Sequence, residues 1–280
     1  MAKILIVGAG DVGGRLACSL AAAGHEVTAL RRQPQALPGV RMLAADVTRP
    51  QTLLLPAGLD VVVTALSPGE PGVEAYRRVY VEGTRALQQA LAGQHLCRQF
   101  WVSSTSVYGE DAGERIDEQV PARPASDTAR ALLDAEALVR AAPWPSTILR
   151  CSGLYGPGRH RLLQWVASGR PVQQDPPSWS NRLHVEDAAG LLHHLVEQAL
   201  AGIRLLPLYL GVDDCPVPQH EVLAWLAAQM GLPAPPGESR PGAAQGKRIA
   251  NRALHACGYV LRYPDFRAGY AQVLAALSTT

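Results

Sequence analysis

Lysine is almost missing from this chain of 280 residues: Lys3 and Lys247 are the only two among 26 basic side chains, and the others are arginines. Chemistry that needs a lysine has two positions to draw on. Cysteine is sparse too. Cys18, Cys97, Cys151, Cys215 and Cys257 are odd in number, far apart and without a CxxC pair. That excludes a disulfide framework and a compact zinc site, and points to a reducing compartment. A dominant charge is also lacking. A net charge of +2 with 18% charged residues gives no reason to expect nucleic acid or an anionic membrane as partner. Long apolar runs are absent: Ile4 to Val7 stops at Gly8, too short for a secretory signal, and no stretch approaches a membrane-spanning length. The expectation is a cytoplasmic globular protein, with one large domain or a core domain plus a smaller lobe.

What is present is a rhythm. Ile4 to Val7, Glu26 to Leu30, Val40 to Ala44, Leu59 to Ala65, Gln99 to Ser103 and Ser146 to Arg150 read as strands. Asp11 to Ala23, Val73 to Ala92 and Ser126 to Ala142 read as the helices between them. This alternation predicts an α/β fold with a doubly wound parallel sheet. The rhythm breaks after residue 151. Helices at Arg161 to Ser168, Val185 to Leu200 and Gln219 to Met230, a returning strand at Leu206 to Gly211 and a Pro/Gly-rich loop at Pro233 to Gly246 follow. The expected division is a Rossmann domain over 1–153, rejoined by the strand near 206–211, and a small C-terminal substrate lobe over 154–280.

Residues 7–14 read VGAGDVGG, so Gly8, Gly10 and Gly13 form GxGxxG between a strand and a helix. In that context the first glycine permits the turn, the second lets the backbone approach a pyrophosphate, and the third lets helix and sheet pack closely. Asp11 and Val12, inside the loop, and Ala65 and Leu66, at the end of the strand carrying Val61-Val62-Val63, are further expected cofactor contacts. The second strand ends in Leu30-Arg31-Arg32 where an NAD site would place an acid. Guanidinium groups suit a 2′-phosphate, so NADP(H) is preferred and NAD(H) is the lesser ligand. Asp46 either meets the adenine or caps a helix, with Thr48 nearby.

Three further motifs occur in order: SSTSVYG at 103–109, LRCSGLYGPGR at 149–159 and NRLHVED at 181–187. With the glycine loop they resemble the extended short-chain dehydrogenase/reductases, the NAD-dependent epimerase/dehydratase group, as an atypical branch. The resemblance implies a substrate between the nicotinamide and the lobe, a homodimer through the helices at 73–92 and 126–142, and Ser104 as the serine that bonds the reacting oxygen. It also implies a Tyr-x-x-x-Lys pair, and this chain lacks it. In the register set by Glu136 the two positions are Thr128 and Leu132, and no tyrosine has a lysine four residues on. Threonine cannot replace a phenol as proton donor near neutral pH, and Arg130 is too basic. Tyr155 is the substitute offered for the proton, with packing under the cofactor as its other reading. Tyr108 reads as packing, Tyr76 and Tyr80 as a shared helical face, His184 as structural, and Arg182 as an anion ligand or a bridge between lobes. Two functions stay open: an NADP(H)-dependent oxidoreductase or epimerase on a small polar or sugar-like molecule, or a non-catalytic NADP(H)-sensing regulator. No metal site is expected.

Overall fold

Strands covered on both faces are apolar throughout rather than alternating, and two segments have that pattern most strongly. β1 (Lys3–Val7) buries every residue after Lys3, and β4 (Val61–Thr64) buries all four of its own. They pair in parallel, Ile4 with Val61 through Val7 with Thr64, at the centre of a seven-stranded sheet. With β2 (Glu26–Arg31), β3 (Val40–Ala44), β5 (Arg98–Ser104), β6 (Ser146–Cys151) and β7 (Leu208–Gly211), the order is β7-β6-β5-β4-β1-β2-β3. The chain winds outward from β1 in one direction and from β4 in the other. The carboxyl edge between these two strands is therefore a topological switch point, where ligand sites form in such sheets.

The computed structural model describes residues 1–278 and divides into two units. The first holds Met1–Gly109, Ala122–Arg150 and Ala188–Tyr209; the second holds Glu110–Pro121, Cys151–Asp187 and the chain from Leu210 onward. The sequence reading put the boundary at residue 153 with a return near 206–211; the chain passes between these units at five points.

In the first unit, α1 (Asp11–Ala22) follows β1, and α4 (Asp127–Ala141) follows β5. Ser126 starts α4 by accepting the Ala129 N–H at 3.2 Å, a cap of the kind worth about 1 kcal/mol. The helix expected over 73–92 is interrupted. It runs as α2 (Val73–Tyr76), a π-helical turn (Arg77–Glu82) and α3 (Gly83–Ala90). Leu87 and Leu91 beneath it pack with Leu5, Val7, Leu30 and Val62 of the sheet. Each such buried leucine contributes roughly 1.5–3 kcal/mol.

The second unit is built on short parallel strand pairs: Gly153–Tyr155 with Arg182–His184, Glu114–Ile116 with Lys247–Ile249, and Val172–Asp175 with Gly237–Ser239. The last pair puts a strand inside the segment expected to be loop. Asn181 stitches two pairs together, donating to the Lys247 carbonyl at 2.7 Å and accepting the Ile249 N–H at 2.9 Å. Lys247 donates to the Glu110 carbonyl at 3.1 Å, so the second lysine of the chain also serves this lobe. No helix among the described residues is long and apolar enough to cross a membrane. Nor do those residues gather three or more His, Cys, Asp or Glu side chains as a metal would need.

Candidate cofactor site

The turn after β1 can be made only by glycine. Gly8 has φ +98°, and a β-carbon there would stand 2.5 Å from the Ala65 carbonyl oxygen. A β-carbon on Gly13 would run into the Gly8 carbonyl. Gly10 is different: nothing lies within 4 Å of the place its β-carbon would take, and it starts α1 without any side-chain cap. The first-turn N–H groups are thus left to an anion, and the bare α-carbon lets that anion come close. Gly8 and Ala9 both donate to the Leu30 carbonyl, and Ala65 donates to that of Val7, so the three strand ends form one rim. Asp11 is tied to Arg15 at 2.9 Å.

Below this rim lies a cavity of about 790 Å³, all within the first unit, whose walls include Gly8, Gly10, Arg31, Arg32, Asp46, Ala65 and Leu66. Its volume, its glycine-formed cradle and its polar end fit a dinucleotide. Arg31 and Arg32 are both exposed; Arg31 is held by Gln35 at 3.0 Å. Asp46 lines the cavity and also makes the turn bonds, accepting from the Thr48 N–H at 2.9 Å and hydroxyl at 2.8 Å. Burial works to raise its pKa. The Thr48 bonds and the charges of Arg32 and Arg49 outweigh that, holding the carboxyl below its ordinary value. Arg49 and Arg78 line the same cavity and were missed by the sequence reading. Arg49 could have been found three residues after Asp46; Arg78 had no signal, because only the π-turn brings it there.

Ser104 ends β5 half-buried, and its Oγ accepts the Ser106 N–H at 3.1 Å. The bond fixes the oxygen and leaves its proton to donate. On α4, Thr128 lies 3.1 Å from the Ser126 hydroxyl and Leu132 is buried, so neither supplies acid or base. Beneath the Ser104 loop runs a buried network. Ser103 donates to Glu136 at 2.7 Å, Arg150 binds both oxygens of Glu136, and Arg150 donates to the Tyr108 hydroxyl at 2.7 Å. Tyr108 is a packed residue, as expected. Tyr76 and Tyr80 share a face at 5.3 Å between ring centroids, and Tyr80 continues to Trp101 at 5.8 Å.

Tyr155 lies in the second unit in the surroundings of a packed side chain. It is 4% exposed, stacks on Tyr270 at 4.7 Å and donates to the Asp265 carbonyl at 3.2 Å. Burial, then the charge of Asp213, push its pKa above the ordinary phenol value, away from what proton transfer at neutral pH requires. These are the contacts of a side chain packed within the second unit. His184 is fully buried, accepts the Glu186 N–H at 3.3 Å and lies 3.9 Å from the Tyr263 ring. Asp187 accepts the backbone N–H groups of Arg262 and Tyr263 and the Tyr259 hydroxyl. Both are structural. Arg182 is 4% exposed, donates to Ser180 at 2.7 Å and has no partner for Nη1 among the described residues. Asp213, unremarked in the sequence, gives its N–H to the Arg182 carbonyl at 2.8 Å and leaves Oδ2 without a partner among the described residues. Burial pushes its carboxyl up to about 7 against the lowering charge of Arg182.

A glycine turn at a switch point, opening on an uncapped helix, places the chain among the dinucleotide-binding Rossmann proteins. The model of the NAD dependent epimerase/dehydratase family matches residues 4–204, and the chain belongs to that family. A solved structure from Methylobacillus flagellatus, named as a candidate NAD-dependent epimerase/dehydratase, is 39% identical, with 99% of each chain covered and a TM-score of 0.84. A 3-diazoavenalumate denitrifying reductase of Streptomyces sp is 28% identical over 95% of this chain and 98% of its own. MoeE5, solved in complex with UDP-glucose and NAD, is 26% identical, covers 99% of this chain and 100% of its own, and gives a TM-score of 0.79.

Proposed function

We propose that this chain is an NADP(H)-dependent oxidoreductase or epimerase acting on a small polar, sugar-like molecule. The observation that carries the reading is the pair Arg31 and Arg32 in the wall of the cavity, with no acid at the end of β2. Gly8, Gly10 and Gly13 with the start of α1 hold the pyrophosphate, and Arg31 and Arg32 take the 2′-phosphate. Asp46, Ala65 and Leu66 line the remaining wall. A bound nicotinamide supplies a hydride. The names of MoeE5 and of the denitrifying reductase support nucleotide-sugar recognition and reduction, respectively.

Ser104 orients the reacting group through its available proton. A serine hydroxyl is too weak an acid to finish the reaction alone, and α4 offers no phenol–lysine pair. The reading therefore requires a substrate electrophilic enough to accept hydride with solvent as the proton source. Oxidation of NADPH followed at 340 nm against carbonyl, iminium and diazo compounds tests the reading. Tight NADPH binding without turnover on any of them favours the second reading, a non-catalytic NADP(H)-sensing regulator, for which Thr128 and Leu132 in place of the pair are the motivating observation. We infer a homodimer through the helical segments at 73–92 and 126–142, supported by Leu133 and Leu138, which stay half-exposed on α4.

A further inference from the structure

The cavity that receives Arg31 and Arg32 has a second basic side, built from chain far away in sequence. Arg78 lines it from the π-helical turn Arg77–Glu82. A π-turn inserts one residue into a helix and re-aims the side chains that follow, and such turns gather at functional sites. The helix is also brought unusually close to the loop after β3. A β-carbon on Gly83 would stand only 2.7 Å from Val47 Cγ2, next to Asp46 and two residues before Arg49. The turn and the glycine together carry Arg78 to the wall that Arg49 also lines.

A short loop links the two basic sides. A β-carbon on Gly69 would lie 3.1 Å from Arg32 Nη2, and the neighbouring Glu70 carboxylate lies 3.5 Å from Arg78 Nη2. Adjacent loop residues thus lie beside two guanidinium groups from different parts of the chain. Glu70 and Arg78 are 73% and 51% exposed, so their bond is a weak surface pair that a stronger anion can replace. A phosphate carries more charge and more acceptor oxygens than a carboxylate and suits the guanidinium fork.

Building on the NADP(H) reading above, we propose that Arg78 is a third guanidinium of the 2′-phosphate site and Glu70 its resident competitor. Between them they set how strongly the cavity separates a 2′-phosphate from a 2′-hydroxyl. Arg32 stays where Gly69 allows it, and Arg78 exchanges Glu70 for the phosphate when the nucleotide binds.

Titration calorimetry on the full chain with adenosine 2′,5′-bisphosphate and with 5′-AMP tests this without any turnover. Arg78→Ala is expected to weaken the bisphosphate by about ten-fold, the loss of one charge-assisted contact, and to leave 5′-AMP within about two-fold. Glu70→Gln is expected to tighten the bisphosphate by about two- to five-fold, the range of an exposed pair, and to lose that effect when Arg78→Ala is added. Both side chains are exposed, so the variants keep the fold. An unchanged affinity ratio in Arg78→Ala overturns the role of Arg78, and no tightening in Glu70→Gln overturns the competition. Equal wild-type affinities for the two nucleotides would remove the NADP(H) reading and this inference with it. A wild-type preference that Arg78→Ala leaves intact removes this inference alone.

Discussion

Arg150 grips Glu136 with two parallel bonds, Nε to Oε1 at 2.9 Å and Nη2 to Oε2 at 2.7 Å, where both side chains are buried. Glu136 also receives Ser103 from the end of β5 and Arg140 from its own helix. One carboxylate therefore ties the strand that ends in Ser104 to the helix that follows it and to β6. Removing one member of such a pair leaves the other charged and buried, a loss of about 3–5 kcal/mol. Glu136→Gln is expected to unfold in urea with its stability reduced by that amount. Glu136→Leu with Arg150→Met should recover most of it, because neither charge then remains. A near-neutral Glu136→Gln would show that the pair holds nothing in place.

Arg31 and Arg32 predict the order of affinities. NADPH should bind at least about ten-fold more tightly than NADH, the yield of charge-assisted contacts to one phosphate. Replacing both arginines with alanine should erase the difference with little change in melting temperature, since both are exposed. Equal affinities in the wild type would refute the assignment.

Asp213 predicts a pH effect on stability. Its carboxyl is pushed up to about 7 in the fold, against about 3.9 in an unfolded chain. The folded state therefore holds a proton that the unfolded state gives up, and stability falls as pH rises from about 4 to about 7, by a limit on the order of 4 kcal/mol. Asp213→Asn cannot ionise. It should be more stable than the wild type at pH 8, and the gap should close as pH falls towards 4. A gap independent of pH would contradict the shift.

Ser104 and Tyr155 separate by their variants. Ser104→Ala should lower turnover and leave NADPH affinity unchanged, as the loss of a contact made mainly in the transition state. Tyr155→Phe removes only the bond to the Asp265 carbonyl. It should cost about 1 kcal/mol of stability and leave turnover intact. A Tyr155→Phe protein with turnover reduced by roughly 10²-fold or more would restore that residue as the proton carrier.

Light scattering at micromolar concentration tests the homodimer. The expected species has twice the chain mass of 29.8 kDa, and a clean monomer removes the inference.

The sheet was legible because buried parallel strands are written as apolar runs: Ile4 to Val7 and Val61-Val62-Val63 fall on β1 and β4. The glycine turn was legible because sterics leave no other residue at Gly8. The second unit was much less so. Its strands are two to four residues long and owe their pairing to distant partners, as Glu114–Ile116 does to Lys247–Ile249. No local period marks such segments. The same reason hid Arg78, whose place depends on a change of helical pitch, and Asp213, whose chemistry comes from burial rather than from a motif.

The edge strand β7 comes from residues 208–211, yet it completes a sheet whose six other strands lie before residue 152. During synthesis, then, the nucleotide-binding half cannot close as it leaves the ribosome. β6 must wait with an open edge until residue 211 has emerged, and most of the second unit is made in the meantime or soon after. An open strand edge invites pairing with other chains. A truncated product ending near residue 153, the boundary the sequence itself invites, would carry that edge permanently.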